Sequence, residues 1–230
     1  MKALAISALL LTLPFSATAK VHSYFCPPQD WEPATLEERK SCVKLAFLGP
    51  TENGFAPSVN LAIEEIGEAS LKTYLKAARA IHERKPNNHW RQLGKIRTQV
   101  GEAELTEIDS ETEWGDVRMM QAILIKEKTA YIITAAALKE EFGKYTKDFQ
   151  KAFQTFSLRE DLFEAVEDSE KRESLRKEFL QVQSILRKES PENKQFQKQY
   201  WEPLEKKVVS DFKELGTMWQ ILVLKELLEE

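Results

Sequence analysis

The stretch that decides the fold is Gly115-Asp116-Val117-Arg118-Met119-Met120-Gln121-Ala122-Ile123-Leu124-Ile125-Lys126-Glu127-Lys128-Thr129-Ala130-Tyr131-Ile132-Ile133-Thr134-Ala135-Ala136. Met119, Ile123 and Ile125 fall on one side of an extended chain, and Met120, Ala122 and Leu124 on the other. Tyr131, Ile133 and Ala135 likewise stand back to back with Ile132, Thr134 and Ala136. Strands that are apolar on both faces belong in the middle of a sheet covered on both sides. Glu127-Lys128 is short enough for a hairpin, which makes the two strands antiparallel neighbours. An antiparallel sheet between helices follows, an α+β class.

Working outward, Val43, Leu45 and Phe47 alternate with Lys44 and Ala46, and Val59, Leu61 and Ile63 with Asn60, Ala62 and Glu64. Both segments read as strands, separated by the turn cluster Gly49-Pro50-Thr51-Glu52-Asn53-Gly54. Ser70 is placed to cap a helix whose apolar stripe is Leu71, Tyr74, Leu75, Ala78 and Ile81, and which stops before Pro86. Residues 90–98 and 102–113 have the mixed alternation of further strands. From Lys139 the period becomes helical, with Phe142, Tyr145, Phe149, Phe153 and Phe156 on one stripe, the pattern of a helix packed on a sheet.

Beyond Leu158 the chain reads as helical and charge-rich. Leu175, Phe179, Val182 and Leu186 form one stripe, and Phe212, Leu215, Trp219 and Leu222 a second, which suggests an antiparallel helical hairpin. Ser190-Pro191 is expected to cap and open its second arm, and Pro203 to kink that arm or restart it after Trp201.

The N-terminus has the layout of a secretory signal: Lys2, an apolar run from Ala3 to Leu13, Pro14, and small residues Ala17-Thr18-Ala19 before Lys20. The expected organisation is therefore a signal peptide over 1–19, an α+β domain over 20–158 and a helical hairpin extension over 159–230. An exported chain favours pairing of its two cysteines, Cys26 and Cys42, across a loop rich in proline and charge. Cleavage after Ala19 would also make His22 the third residue, and an amino-terminal X-X-His can chelate Cu(II) through the amine, two amides and the imidazole. The alternative is that His22 simply enters the first strand.

At this point the sequence resembles the PsbP-like fold family, whose members include PsbP, exported bacterial lipoproteins of the LpqN type and a Ran-binding nucleotide-release factor. The residues that carry the resemblance are Phe55-Ala56-Pro57-Ser58-Val59-Asn60, Ser70-Leu71 with Tyr74-Leu75, Ala130-Tyr131-Ile132-Ile133-Thr134 and the aromatic helix 142–156. It spans Tyr24 to Leu158. What it implies is an antiparallel sheet between helices used as a non-catalytic docking module, with no shared ligand.

No motif of catalysis stands out. The serines lack a nucleophile-elbow setting, eight glycines supply no phosphate-binding loop, and carboxylates lie on polar helix faces. His82 reads as a core-edge histidine and His89 as a turn residue. With 33 Lys and Arg against 37 Asp and Glu, no basic stripe emerges for nucleic acid. The expected function is that of an exported, non-enzymatic interaction or assembly module, without cofactor, whose partner is an envelope or secreted protein. The alternative is a carrier of a small ligand or metal. The last helix, Met218-Trp219-Gln220-Ile221-Leu222-Val223-Leu224 with Leu227, is apolar around most of its circumference. Met218, Trp219, Leu222, Val223 and Leu227 are thus the expected partner-binding residues, through self-association or a partner's groove, unless they pack on their own domain.

Overall fold

The computed structural model describes residues 20–34, 43–51 and 54–228. The expected signal peptide and Cys42 lie outside them. Strand β1 (His22–Tyr24) is followed by β2 (Glu32–Pro33), β3 (Val43–Leu48), β4 (Ser58–Glu65) and helix α1 (Leu71–Glu83). Then come β5 (Asn88–Arg97), β6 (Glu102–Thr112), β7 (Gly115–Lys126), β8 (Thr129–Leu138), α2 (Phe142–Gln154) and β9 (Ser157–Arg159). A 3-10 turn (Leu162–Ala165) leads to α3 (Ser169–Leu186), α4 (Lys194–Phe196), a π turn (Gln197–Trp201), α5 (Glu202–Asp211), a 3-10 turn (Lys213–Leu215) and α6 (Gly216–Glu226).

Seven strands form one antiparallel sheet in the order β2-β3-β4-β8-β7-β6-β5, and β1 pairs with β9 in a separate ribbon. The hairpin read at Glu127-Lys128 joins β7 to β8, pairing Lys126 with Thr129, and both strands lie inside the sheet, as their two apolar faces require. The α+β reading, an antiparallel sheet with helices on both sides and further helices at the C-terminus, is what the structure shows.

The two faces of the sheet are covered unequally. On one, Val59, Leu61, Ala122, Ile133 and Ala135 pack against Phe142, Phe149 and Phe153 of α2 and against Leu175, Phe179, Val208 and Trp219 of the tail, in one continuous core. Trp31 wedges into it, edge-on to Tyr145 and Phe149 at 5.8 and 6.0 Å. Among the described residues, α1 is the one helix on the opposite face, where Phe55 also packs on Val117 and Ala136.

The tail is not an outlying appendage, because its helices complete the core over the first face. Its second arm is broken into pieces. Asn193, not Ser190, caps α4, its Oδ1 accepting from the Gln195 amide at 2.9 Å, which corrects the expected start. Pro203 lies in the first turn of α5, directly after the π turn.

Where α2 begins, the apolar face ends in charge. Arg118 donates twice to Asp109, Nε to Oδ1 at 2.7 Å and Nη2 to Oδ2 at 2.9 Å, and Lys139 Nζ lies 3.1 Å from Oδ2. These donors, Arg118 first, hold the Asp109 carboxyl down at about 2. The folded value lies below the unfolded one, so its stabilisation is complete above about pH 4 and is lost as pH falls towards 2. The expected result is that Asp109→Asn costs about 2 kcal/mol at pH 7. Urea midpoints of the variant and the parent should then converge between pH 4 and pH 2.

Candidate functional site

On the second face, α1 starts at Ser70, whose Oγ accepts from the Thr73 amide at 3.2 Å. Leu75 is the helix's one buried side chain and rests on Ala62, Ile123 and Ile132. Two further contacts anchor it: Tyr74 Oη donates to Glu64 Oε2 at 2.7 Å, and the Arg79 guanidinium lies over the Trp90 ring at 5.5 Å. A 13-residue helix held this lightly cannot cover a seven-stranded sheet.

What it leaves is a cleft of about 530 Å³ between its flank and the sheet. The helix wall is Ala77, Ala78, Ile81 and His82, and small side chains there keep the space open. Ala46, Leu48, Met119 and Ile123 give the sheet side an alkyl lining, while Ser58, Asn60, Gln121 and Thr134 supply polar groups.

Three of those polar groups form a line. Asn60 pairs with Thr134, Thr134 with Gln121, Gln121 with Thr106 and Thr106 with Gln92, so one polar row crosses five strands on the same face. Gln121 Nε2 donates to Thr134 Oγ1 at 3.1 Å. Thr106 is fully buried, and its hydroxyl has no hydrogen-bond partner among the described residues. The floor is therefore an amide and hydroxyl strip between alkyl rows.

Electrically the cleft is nearly bare. Burial, and secondarily the charge of Lys85, lower the His82 pKa, so its imidazole is neutral near pH 7. Glu64 is a carboxylate in the lining and receives the Tyr74 hydroxyl. No Lys or Arg is among the described lining residues.

A second cavity, of about 450 Å³, lies where β1 and β9 meet the tail, and its lining includes Tyr24, Cys26, Ser157, Arg159 and Lys171. Its hydroxyls are already engaged: Ser157 Oγ donates to Gln99 Oε1 at 2.5 Å, and Thr155 Oγ1 accepts from the Cys26 amide at 2.9 Å. Burial pushes the Cys26 thiol up, away from nucleophilic use. This region is a polar seam holding the first strand.

The residues singled out in the sequence are placed elsewhere. Met218, Trp219, Val223 and Leu227 are buried at 0–3% exposure and Leu222 is half-buried, which corrects the expectation that they form a docking face. Met218 Sδ receives the Phe25 amide at 3.4 Å, and Trp219 Nε1 donates to the Leu162 carbonyl at 2.9 Å. His22 is buried in β1 opposite Arg159, with Nε2 3.7 Å from Glu226 Oε2. It enters the first strand, the alternative that the sequence leaves open. Cys26 is a buried thiol, and its expected partner Cys42 lies outside the described residues. None of these residues lines the cleft beside α1.

No protein-family model and no curated protein matches the chain. Among solved structures it is similar to LpqN, involved in cell envelope biogenesis of Mycobacterium tuberculosis, with TM-score 0.48 and 11% identity over 63% of this chain and 87% of that one. It is also similar to the cyanobacterial PsbP of Synechocystis, with TM-score 0.44 and 9% identity over 65% and 99%. The Ran-binding protein Mog1p of Saccharomyces cerevisiae has TM-score 0.40 and 17% identity over 59% and 89%. The structural neighbours thus include the three kinds of protein that the sequence resembles.

Proposed function

We propose that the chain is an exported, non-enzymatic binding protein whose working surface is the cleft between α1 and the sheet. The observation that carries this reading is the cleft itself. Its volume of about 530 Å³ falls in the range of small-ligand sites, and its lining has their usual composition, alkyl walls with a few polar groups that can orient a guest. The amides and hydroxyls of the lining can orient a guest, which supports a role in binding. Export rests on the sequence of residues 1–19. Among the described residues, no helix is long and apolar enough to cross a membrane.

A second reading, docking of a protein partner, has its own observation. Trp114 is 52% exposed and its ring lies 6.0 Å from Phe55, which packs on Val117 and Ala136 at one end of the same face. Exposed aromatics of this kind anchor protein interfaces.

Native mass spectrometry of the chain purified from its own cell tests the first reading. The expected result is a non-covalent small-molecule adduct that disappears in Ala77→Trp, which fills the cleft from an exposed helix position. An adduct unaffected by Ala77→Trp, or a protein partner lost on Trp114→Ala with no adduct at all, would overturn it.

A further inference from the structure

Resting on that reading, we propose that the cleft binds a single-chain amphiphile with an uncharged head group bearing hydroxyls or amides. The alkyl walls, Leu48, Met119, Ile81 and Ile123, ask for an aliphatic chain. The floor asks for a particular head. Gln121 spends one amide N–H on Thr134 and, among the described residues, keeps its other N–H and its carbonyl, and Asn60 lies two strands along in the same row. Together they offer donors and acceptors side by side, which suits hydroxyl or amide groups that also do both.

Charge excludes the commoner amphiphiles. An anionic head would leave water for a cleft in which no described residue is cationic, His82 is neutral and Glu64 repels it. A cationic head would meet Glu64 as the one carboxylate among the described lining residues, and one of that group's oxygens is already occupied by the Tyr74 hydroxyl. An uncharged head avoids both costs and uses the strip in full.

The probe is 1-monolauroylglycerol, titrated calorimetrically below its aggregation concentration into the mature chain, with laurate as the anionic analogue. Affinity should rise up to about fifteenfold for each two-carbon extension of the chain from eight carbons, as expected for buried methylenes. Laurate should bind at least about tenfold more weakly, because its carboxylate gains no cation. Gln121→Leu should weaken the monoglyceride about tenfold while leaving laurate unchanged. Equal or tighter laurate binding, indifference to chain length, or an unchanged monoglyceride affinity in Gln121→Leu would overturn the ligand assignment. A native adduct that is lost in Ala77→Trp but proves to be an ion or a peptide would also overturn it, with the cleft still the binding site. An adduct indifferent to Ala77→Trp removes the site reading itself.

Discussion

Trp219→Ala is expected to destabilise the chain by about 3–5 kcal/mol, the range for removing a fully buried large aromatic. The indole has no exposed surface, packs 5.6 Å from the Phe212 ring and satisfies the Leu162 carbonyl, so truncation leaves both a cavity and an unpaired acceptor. Deleting residues 216–230 is the same experiment on a larger scale. It uncovers Phe25, whose amide Met218 receives, together with the turn at Leu162. Thermal melts of both variants should show a large fall in Tm. A truncated chain that kept its Tm and lost only an association would mean that α6 is a docking arm after all.

Gly216→Ala is expected to cost about 3 kcal/mol or more, for two separable reasons. Its backbone sits at φ +81 and ψ 159, a conformation essentially confined to glycine. A Cβ there would also lie 2.8 Å from Cys26 Sγ and 3.1 Å from Cys26 Cα, and the backbone atom cannot give way. Gly67, with φ +58 and nothing within 4 Å of its would-be Cβ, is the internal control. Gly67→Ala should cost about 1 kcal/mol, the ordinary penalty of a left-handed backbone. Equal urea midpoints for the two variants would mean that the start of α6 does not press on Cys26 as described.

The central hairpin and the aromatic helix were legible because their signal is local. Period two at Met119–Ile125 and period 3.6 at Phe142–Phe153 each need one element to be read, while Phe156, read as the end of that stripe, lies past the cap of α2. The last helix was legible as a helix, but its partner was not. Apolar residues all round say that every side is covered, and only the assembled chain shows that Phe25, Leu162 and Phe212 do the covering. Trp31 is a similar case, a loop residue whose ring partners Tyr145 and Phe149 lie more than 100 positions away.

The candidate site was hidden for a different reason. Asn60, Gln121 and Thr134 each look like a single polar interruption in an apolar strand, too slight to mark in isolation. Strand register turns three interruptions into one row, and register is a property of pairs of strands. The short reach of α1 was equally invisible, because a stripe from Leu71 to Ile81 does not reveal that Leu75 alone is fully covered while Ile81 stays 61% exposed.

Amide hydrogen exchange tests the claim that the face beside α1 is the working surface. The chain purified from its own cell would be compared with and without its co-purified adduct. With one buried side chain, α1 is set to open locally at low cost, so a ligand wedged against it should slow its exchange measurably. Added protection is expected across Leu71–Glu83 and none in Gly216–Glu226. Protection gained in Gly216–Glu226 with Leu71–Glu83 unchanged would contradict it.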